Sequence, residues 1–450
     1  MSLARAGRSV VVLEADYFPR PHHGICLSRG AVTQLDHLGL SALLDDKSHR
    51  RTFVSERKWA SDRFEAAEHD NIICDRGILD RDLLEAARLA GAEVRQGHRV
   101  VEHCQLKGAW SLAVAGPGQL SRTRARHVVR AGGRRSVAGR RMRHGPPTLA
   151  LCGEWSAHSA AIRIAALPDA WVWLAPTARG TSMAIATVDA RNAKVGSGKL
   201  RILHERLVRE SGVLHEGTLL GEPIAIDASP YQTSEDEAGA TTIGEADLGL
   251  DPLSSSGVQA AIQSAVACSL VLNTLLDPGG DHDAAREYWC GNRDRRIANH
   301  LRWTRQSYAE VQVRFPSSFW AERAGNGTTA DAPREGPAPL PRPGEFIGLA
   351  PGVEFGPVAC VVGTTVRRAA GVRGPMLDSP AAYLSDVPLA PLLECCAVAR
   401  PAADLLGDWS ARIGARNAAL ALSWAWQNGV VIARDLAAGR GRQSQFPVGD

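Results

Sequence analysis

Residues 8–16 (RSVVVLEAD) form an apolar run rich in β-branched positions that ends on acidic residues, the pattern of a buried strand. The segment Ser2 to Gly7 before it reads as the last turn of a helix with Gly7 as its stop. Residues 31–40 have helical spacing, residues 80–90 (DRDLLEAARLA) make an amphipathic helix closed by Gly91, and residues 92–101 (AEVRQGHRVV) alternate as strand material. Alternating helix and strand predicts α/β layers. From about Pro146 to Ala240 the texture changes. Residues 171–176 (WVWLAP) and 181–188 (TSMAIATV) alternate as strands around the turn-like Thr177–Gly180, which predicts an antiparallel sheet. At Thr241 the α/β texture returns, with a strand, a Gly/acid turn and a long helix from about Gly257 to Leu276.

Beyond this helix, residues 324–344 (AGNGTTADAPREGPAPLPRPG) are a linker by composition. The last hundred residues carry strand-like segments and then helical ones around residues 389–393 and 418–426, which predicts a C-terminal α+β or mostly helical unit.

Composition narrows the class. A chain of 450 residues exceeds one hydrophobic core, and 44% hydrophobic against 22% charged residues excludes disorder as the main theme. The 44 Gly and 25 Pro show no fixed period, which excludes a fibrous protein. Nine scattered cysteines without a C-x-x-C pair are the usage of a reducing compartment, and no leader-like segment or bilayer-length apolar run is evident. A cytoplasmic protein with no membrane span is expected. Net charge is +4, yet nine arginines and no acidic residue lie between Glu102 and Glu154. Without interleaved aromatics or a binding module this bias predicts solvated loops, not a nucleic-acid site.

Two groups of residues carry chemistry. Glu14 ends the first strand, where a dinucleotide-binding unit places a carboxylate on the adenosine ribose. The second group is Gly244-Glu245-Ala246-Asp247 followed by residues 251–262 (DPLSSSGVQAAI), which open a helix. Small residues let the backbone approach a ligand, and the free N–H groups at the helix start favour negative charge, such as that of a reduced flavin.

These residues resemble the FAD-dependent monooxygenases of the hydroxylase, halogenase and geranylgeranyl-reductase superfamily. Four passages carry the resemblance in the family's order: 5–14 (RAGRSVVVLE), 19–27 (PRPHHGICL) with the helix ending at Leu40, 76–92 (RGILDRDLLEAARLAGA) and 244–262. The resemblance implies a Rossmann-type FAD-binding domain in two parts, 1–145 and 241–323, with an antiparallel substrate domain inserted at 146–240. The linker at 324–344 then leads to a cap or partner-binding domain at 345–450. It also implies that Glu14 holds the ribose, Arg20 and Arg76 lie near the cofactor, and the strand around Val101 offers backbone to adenine. Gly244 and Glu245 would face the ribityl chain, and Pro252, Ser254, Ser255, Ser256 and Gly257 would line the flavin ring.

The departures are specific. The family's G-x-G-x-x-G turn is absent, so about 20 of the roughly 30 residues of that βαβ unit are expected to be missing. Ile25 replaces a frequent Glu after Gly24, Glu245 replaces Asp, and residues 130–134 (RAGGR) stand where Asp-Ala-Thr-Gly-Arg is typical.

Within the family, hydroxylases pass oxygen from a flavin C4a-hydroperoxide to an electron-rich ring, whereas halogenases need a lysine relay. Lysines are few here; Lys58 would be the relay in a halogenase, although its neighbours Glu56, Arg57 and Asp62 fit a solvated lysine. Residues 171–176 resemble the halogenase W-x-W-x-I-P motif with Ala175 for Ile, but a Trp pair on alternate strand positions also fits core packing. Ser254 stands where tryptophan halogenases carry Glu, which puts hydroxylation first. The 251–257 passage and the C-terminal unit look most like the flavoproteins that mature peptide-derived quinone cofactors by oxygenating a tryptophan in a partner protein. Expected partners are therefore an aromatic small molecule or such a protein, with FAD as cofactor and NAD(P)H or a reductase as electron source. A geranylgeranyl-reductase-like enzyme and a non-catalytic flavoprotein remnant are the alternatives. No catalytic base stands out; His22 and His23 are loop candidates only.

Overall fold

The computed structural model describes residues 1–20, 25–136, 139–193, 198–234, 237–325 and 339–434. It divides into two compact units, one of residues 1–269 with 296–332 and one of residues 270–295 with 333–450.

The first unit is built on an eight-stranded sheet. Its antiparallel heart is Thr148–Trp155, Ile162–Leu167, Ala170–Pro176 and Ser182–Asp189, with Leu219–Asp227 at one edge. On the other side Arg50–Lys58 pairs in parallel with Ile162–Leu167, and Glu65–Cys74 and Ile25–Leu27 complete the sheet. The antiparallel texture of 146–240 thus continues into strands from the N-terminal quarter of the chain.

Alternation along Ala170–Pro176 decides what each face does. Val172 and Leu174 point to the face covered by helix Lys199–Ser211, where they join Leu151, Ala165, Ala184, Leu207 and Val208 in one buried cluster. Each such aliphatic side chain contributes about 1.5–3 kcal/mol by leaving water. The helix stops at Gly212, whose φ of 71° suits a residue without Cβ. Trp171, Trp173 and Ala175 point the other way. Trp171 joins Trp59, Tyr308, Phe319 and Trp320, while Ala175 joins Cys26, Ile73 and Ile162.

The parallel strands expected of a Rossmann-type sheet occur, among the described residues, as two pairs. Val11–Glu14 pairs with Glu93–Gln96, and Val128–Arg130 with Ala240–Thr242. Leu13, Val128 and Ala240 share one apolar cluster with Trp110, Leu112 and Val114 of a three-stranded antiparallel sheet formed by Arg99–Leu106, Ala109–Gly116 and Gln119–Ala125. The single strand expected over 92–101 is broken into Glu93–Gln96 and Arg99–Leu106. Gly97, at φ 70°, makes the turn, and a side chain there would meet the Tyr17 ring.

The long helix read from Gly257 spans Gly257–Leu275. Contrary to the sequence reading of apolar runs, it is the one described helix long and apolar enough to cross a membrane. Its polar residues have partners within the protein, however: Ser264 accepts from the Gly244 N–H, and Asn273 donates to the Thr364 carbonyl. These are the bonds of a core helix.

The second unit is α+β. Helices Ala402–Ile413 and Ala415–Gln427 bury Leu405, Trp409, Ala418 and Ala425 against Ile347 and Val431 of a three-stranded sheet. A hairpin of Glu354–Val362 and Thr365–Arg373 stands beside them in the chain. Most of the Pro/Gly-rich passage lies outside the described residues.

Candidate functional site

The Asp251–Gly257 turn is locally encoded. Asp251 caps it by accepting from the Leu253 N–H at 3.0 Å, and Pro252 starts the short helical turn Pro252–Ser254 with its φ already set. Ser254 donates to the Asp251 carbonyl at 3.1 Å and lies 2.7 Å, hydroxyl to hydroxyl, from Ser256. Ser255 takes the left-handed conformation, φ 47°, which costs a non-glycine residue about 1–2 kcal/mol. Gly257 then opens the long helix, and a Cβ built there would meet nothing within 4 Å. The helix therefore starts beside open space, with the Ser256 N–H held by the Ser254 hydroxyl at 3.4 Å and the N-terminal end of the dipole next to that space.

Asp251 is the anchor of this turn. It is buried, its N–H donates to Nε2 of His300 at 2.9 Å, and its carboxylate accepts from the Tyr308 hydroxyl, 2.9 Å from each oxygen. Burial raises the Asp251 carboxyl above the usual carboxylate range, although the Leu253 N–H, Tyr308 and the Arg323 charge oppose that shift. Burial also lowers His300 to about 4, so it is neutral, as an acceptor from a backbone N–H must be. Arg323 is nearly inaccessible and bonds Thr148 Oγ1 at 2.8 Å and the Phe319 carbonyl at 3.1 Å.

Beside the turn lies the Trp face of the sheet. Trp173, half-buried, packs with Leu253 and Ile164 against the cluster of Trp59, Trp171 and Trp320. Trp171 is a core residue, 2% exposed, edge-on to Trp59. The alternation that turns Trp59 toward this face turns Lys58 away. Its Nζ lies 3.4 Å from the Ser211 carbonyl at the end of helix Lys199–Ser211 and 5.8 Å from the centre of the Phe64 ring.

A second group gathers at the helix N-termini. Ser28 caps helix Arg29–His37 and also donates to Gln259 at 2.8 Å, tying it to the start of the long helix. Gly77, in helix Arg76–Leu89, packs so closely on the Arg20 carbonyl that a Cβ would lie 2.6 Å from it. Arg76 holds Asp80 through two bonds of 2.8 and 3.0 Å, and Arg20 approaches the same carboxylate at 3.6 Å. Burial works against the Arg76 charge, but Asp80 and, more weakly, Glu245 hold its pKa up. Glu245 accepts from Arg134 at 3.0 Å. Arg134 and Arg141 both lie over the Tyr231 ring, 4.8 and 4.3 Å from its centre. Gly244, at φ 60°, is seated against Ala261 of the long helix.

At the far end, Glu14 closes its strand with its carboxylate accepting the Asp16 N–H at 2.8 Å. Val101 is the extra residue of a β-bulge between Val100 and Glu102, so its backbone drops out of the ladder. The structure thus brings Arg20, Arg76, Gly244 and Glu245 together, and Pro252 to Gly257 into one turn. It gives Glu14 and Val101 neighbouring strands' ends of their own. His22, His23 and Gly24 lie outside the described residues.

Sequence reasoning missed His300, Tyr308, Arg323 and Trp320. One signal existed: His300, Thr304 and Tyr308 repeat at four-residue spacing in a helix otherwise rich in charge.

The fold is that of solved flavin-dependent aromatic hydroxylases and halogenases. The chain is similar to QhpG, a peptidyl tryptophan dihydroxylase essential for tryptophylquinone cofactor biogenesis, with a TM-score of 0.71 and 22% identity over 95% of each chain. It is also similar to CmlS, a flavin-dependent halogenase, with a TM-score of 0.79 and 17% identity over 97% of this chain and 94% of that one. The myxobacterial chondrochloren halogenase CndH, an FAD-dependent halogenase, matches with a TM-score of 0.67 and 22% identity over 74% of this chain and 84% of its own. No protein-family model and no curated protein matches the sequence.

Proposed function

We propose that the protein is an FAD-dependent monooxygenase that hydroxylates an aromatic ring, its substrate a tryptophan side chain within a partner protein. The observation that carries this reading is that Leu253, in the Pro252–Ser254 turn, and the half-buried Trp173 of the sheet pack against one and the same aromatic cluster. An aromatic and aliphatic surface meets the N-terminus of a long helix there, which suits an apolar ring beside a group that becomes anionic on reduction.

The residues present fit the flavin nucleotide. Arg20 Nε is buried and has no hydrogen-bond partner among the described residues, and the space before Gly257 is open. Glu14 would hold the ribose, Arg20 and Arg76 would face the phosphates and ribityl chain with Gly244 and Glu245, and residues 252–257 would hold the ring. The bound flavin supplies the activation of oxygen, with NAD(P)H or a reductase as electron source. The chain's own share is to orient the aromatic ring on Trp173 and Ile164, to exclude water with the apolar cluster behind them, and to stabilise negative charge at the start of helix Gly257–Leu275. The similarity to QhpG supports tryptophan in a protein as substrate, and the orientation of Lys58 toward the Ser211 carbonyl favours hydroxylation over halogenation.

The test is to titrate the purified protein with FAD and then incubate it, with reductant and oxygen, with a tryptophan-containing partner protein and with free tryptophan. A mass gain of oxygen on the partner supports the reading. Flavin binding with no oxygen gain on either substrate would sink it, and Glu14→Gln is expected to weaken FAD binding about tenfold.

A further inference from the structure

We propose that His300 and Tyr308 are positioning residues that clamp Asp251 and so set the shape in which the Ser255–Gly257 turn meets the flavin ring; the inference rests on the flavin reading above. Both residues stand on one helix, His282–Gln312, two turns apart on the same face. Between them Thr304 is buried and donates to the His300 carbonyl at 2.9 Å, so the face is packed rather than solvated.

The two contacts differ in kind and together leave Asp251 no freedom. His300 takes its main-chain N–H and Tyr308 its carboxylate, each at 2.9 Å. A backbone N–H can only donate, so Nε2 of His300 must be the unprotonated nitrogen and the ring proton sits on Nδ1. From the other side, Asp251 accepts the Leu253 N–H and the Ser254 hydroxyl. One buried residue thereby transmits the helix's position to the turn. Strain gives the clamp something to hold: Ser255 keeps a positive φ without being glycine, a conformation that persists only where the surroundings over-determine it. Releasing Asp251 lets Ser255 relax, loosens the Ser256 N–H from the Ser254 hydroxyl it donates to at 3.4 Å, and shifts Gly257 relative to the open space beside it.

The experiment compares wild type with His300→Leu, His300→Gln and Tyr308→Phe, reading amide hydrogen exchange over residues 251–257, flavin dissociation constant and the visible spectrum of bound flavin. His300→Leu and Tyr308→Phe are expected to speed exchange in that turn selectively, raise the flavin dissociation constant about tenfold and shift the flavin band. Gln at 300 offers a side-chain carbonyl to the same N–H and is expected to restore all three. If wild type binds flavin and the folded variants retain its spectrum and affinity, the clamp is overturned while the flavin reading stands. A wild type that binds no flavin overturns both. Should His300→Leu fail to fold, the difference between His300→Gln and Tyr308→Phe decides in the same terms.

Discussion

The hydroxyl of Tyr308 sits 2.9 Å from both carboxylate oxygens of Asp251, across 57 residues of chain, with both groups fully enclosed. Removing the hydroxyl would leave a buried carboxylate short of a donor. Tyr308→Phe is expected to cost about 2–3 kcal/mol of stability, the range for a hydrogen bond to a charged group. Urea denaturation would check this, and adding Asp251→Asn should cost less in that background than in wild type.

His300 predicts a pH dependence with a definite sign. Its folded-state pKa is lowered to about 4 by burial, against about 6.5 unfolded. Above pH 6.5 both states are neutral there and nothing is lost. As pH falls from 6.5 toward 4 the unfolded state gains a proton that the native state refuses, so stability drops by on the order of 3 kcal/mol. Asp251, raised by burial, works in the opposite sense at the acid end. The urea midpoint of His300→Gln should therefore fall less than wild type's between pH 7 and 4.5.

Trp171 and Trp173 separate packing from function. Trp171→Ala empties a core position and is expected to cost about 3–5 kcal/mol. Trp173→Ala, at a half-buried position, should cost about half as much while lowering turnover of an aromatic substrate more steeply. Equal losses of activity per unit of stability would argue against a substrate role for Trp173.

Lys58 provides the fourth measurement. Its ammonium group lies at the carbonyl end of helix Lys199–Ser211, where a cation is worth about 0.5 kcal/mol. Lys58→Met is expected to lower the melting temperature slightly and leave hydroxylation in place. Loss of all product with an unchanged melting temperature would reinstate a relay role.

What the sequence disclosed was local. The Asp251–Gly257 turn could be read because Asp, Pro, Ser and Gly each act on their own or adjacent backbone, and the helix it opens was legible to within a residue. Tyr308 and His300 were not legible, since nothing near them in sequence explains them and their partners lie about fifty residues upstream. Arg130 looked like the loss of an acidic motif residue, yet in the fold it pairs with Glu237 at 2.9 Å and lies over the Trp110 ring, 5.6 Å from its centre. The sheet, too, was read as a local insert, because parallel pairing of Arg50–Lys58 with Ile162–Leu167 leaves no trace in either segment alone.

That parallel pairing gives the strand Arg50–Lys58 an unusual evolutionary leverage. Lys58 and Trp59 are consecutive, one facing the helix side of the sheet and the other the aromatic side. Inserting or deleting a single residue just before them would exchange the two, bringing an ammonium group to the apolar face and an indole to the helix end. The choice between a lysine-bearing and a tryptophan-bearing pocket is thus separated by one codon of register rather than by any substitution.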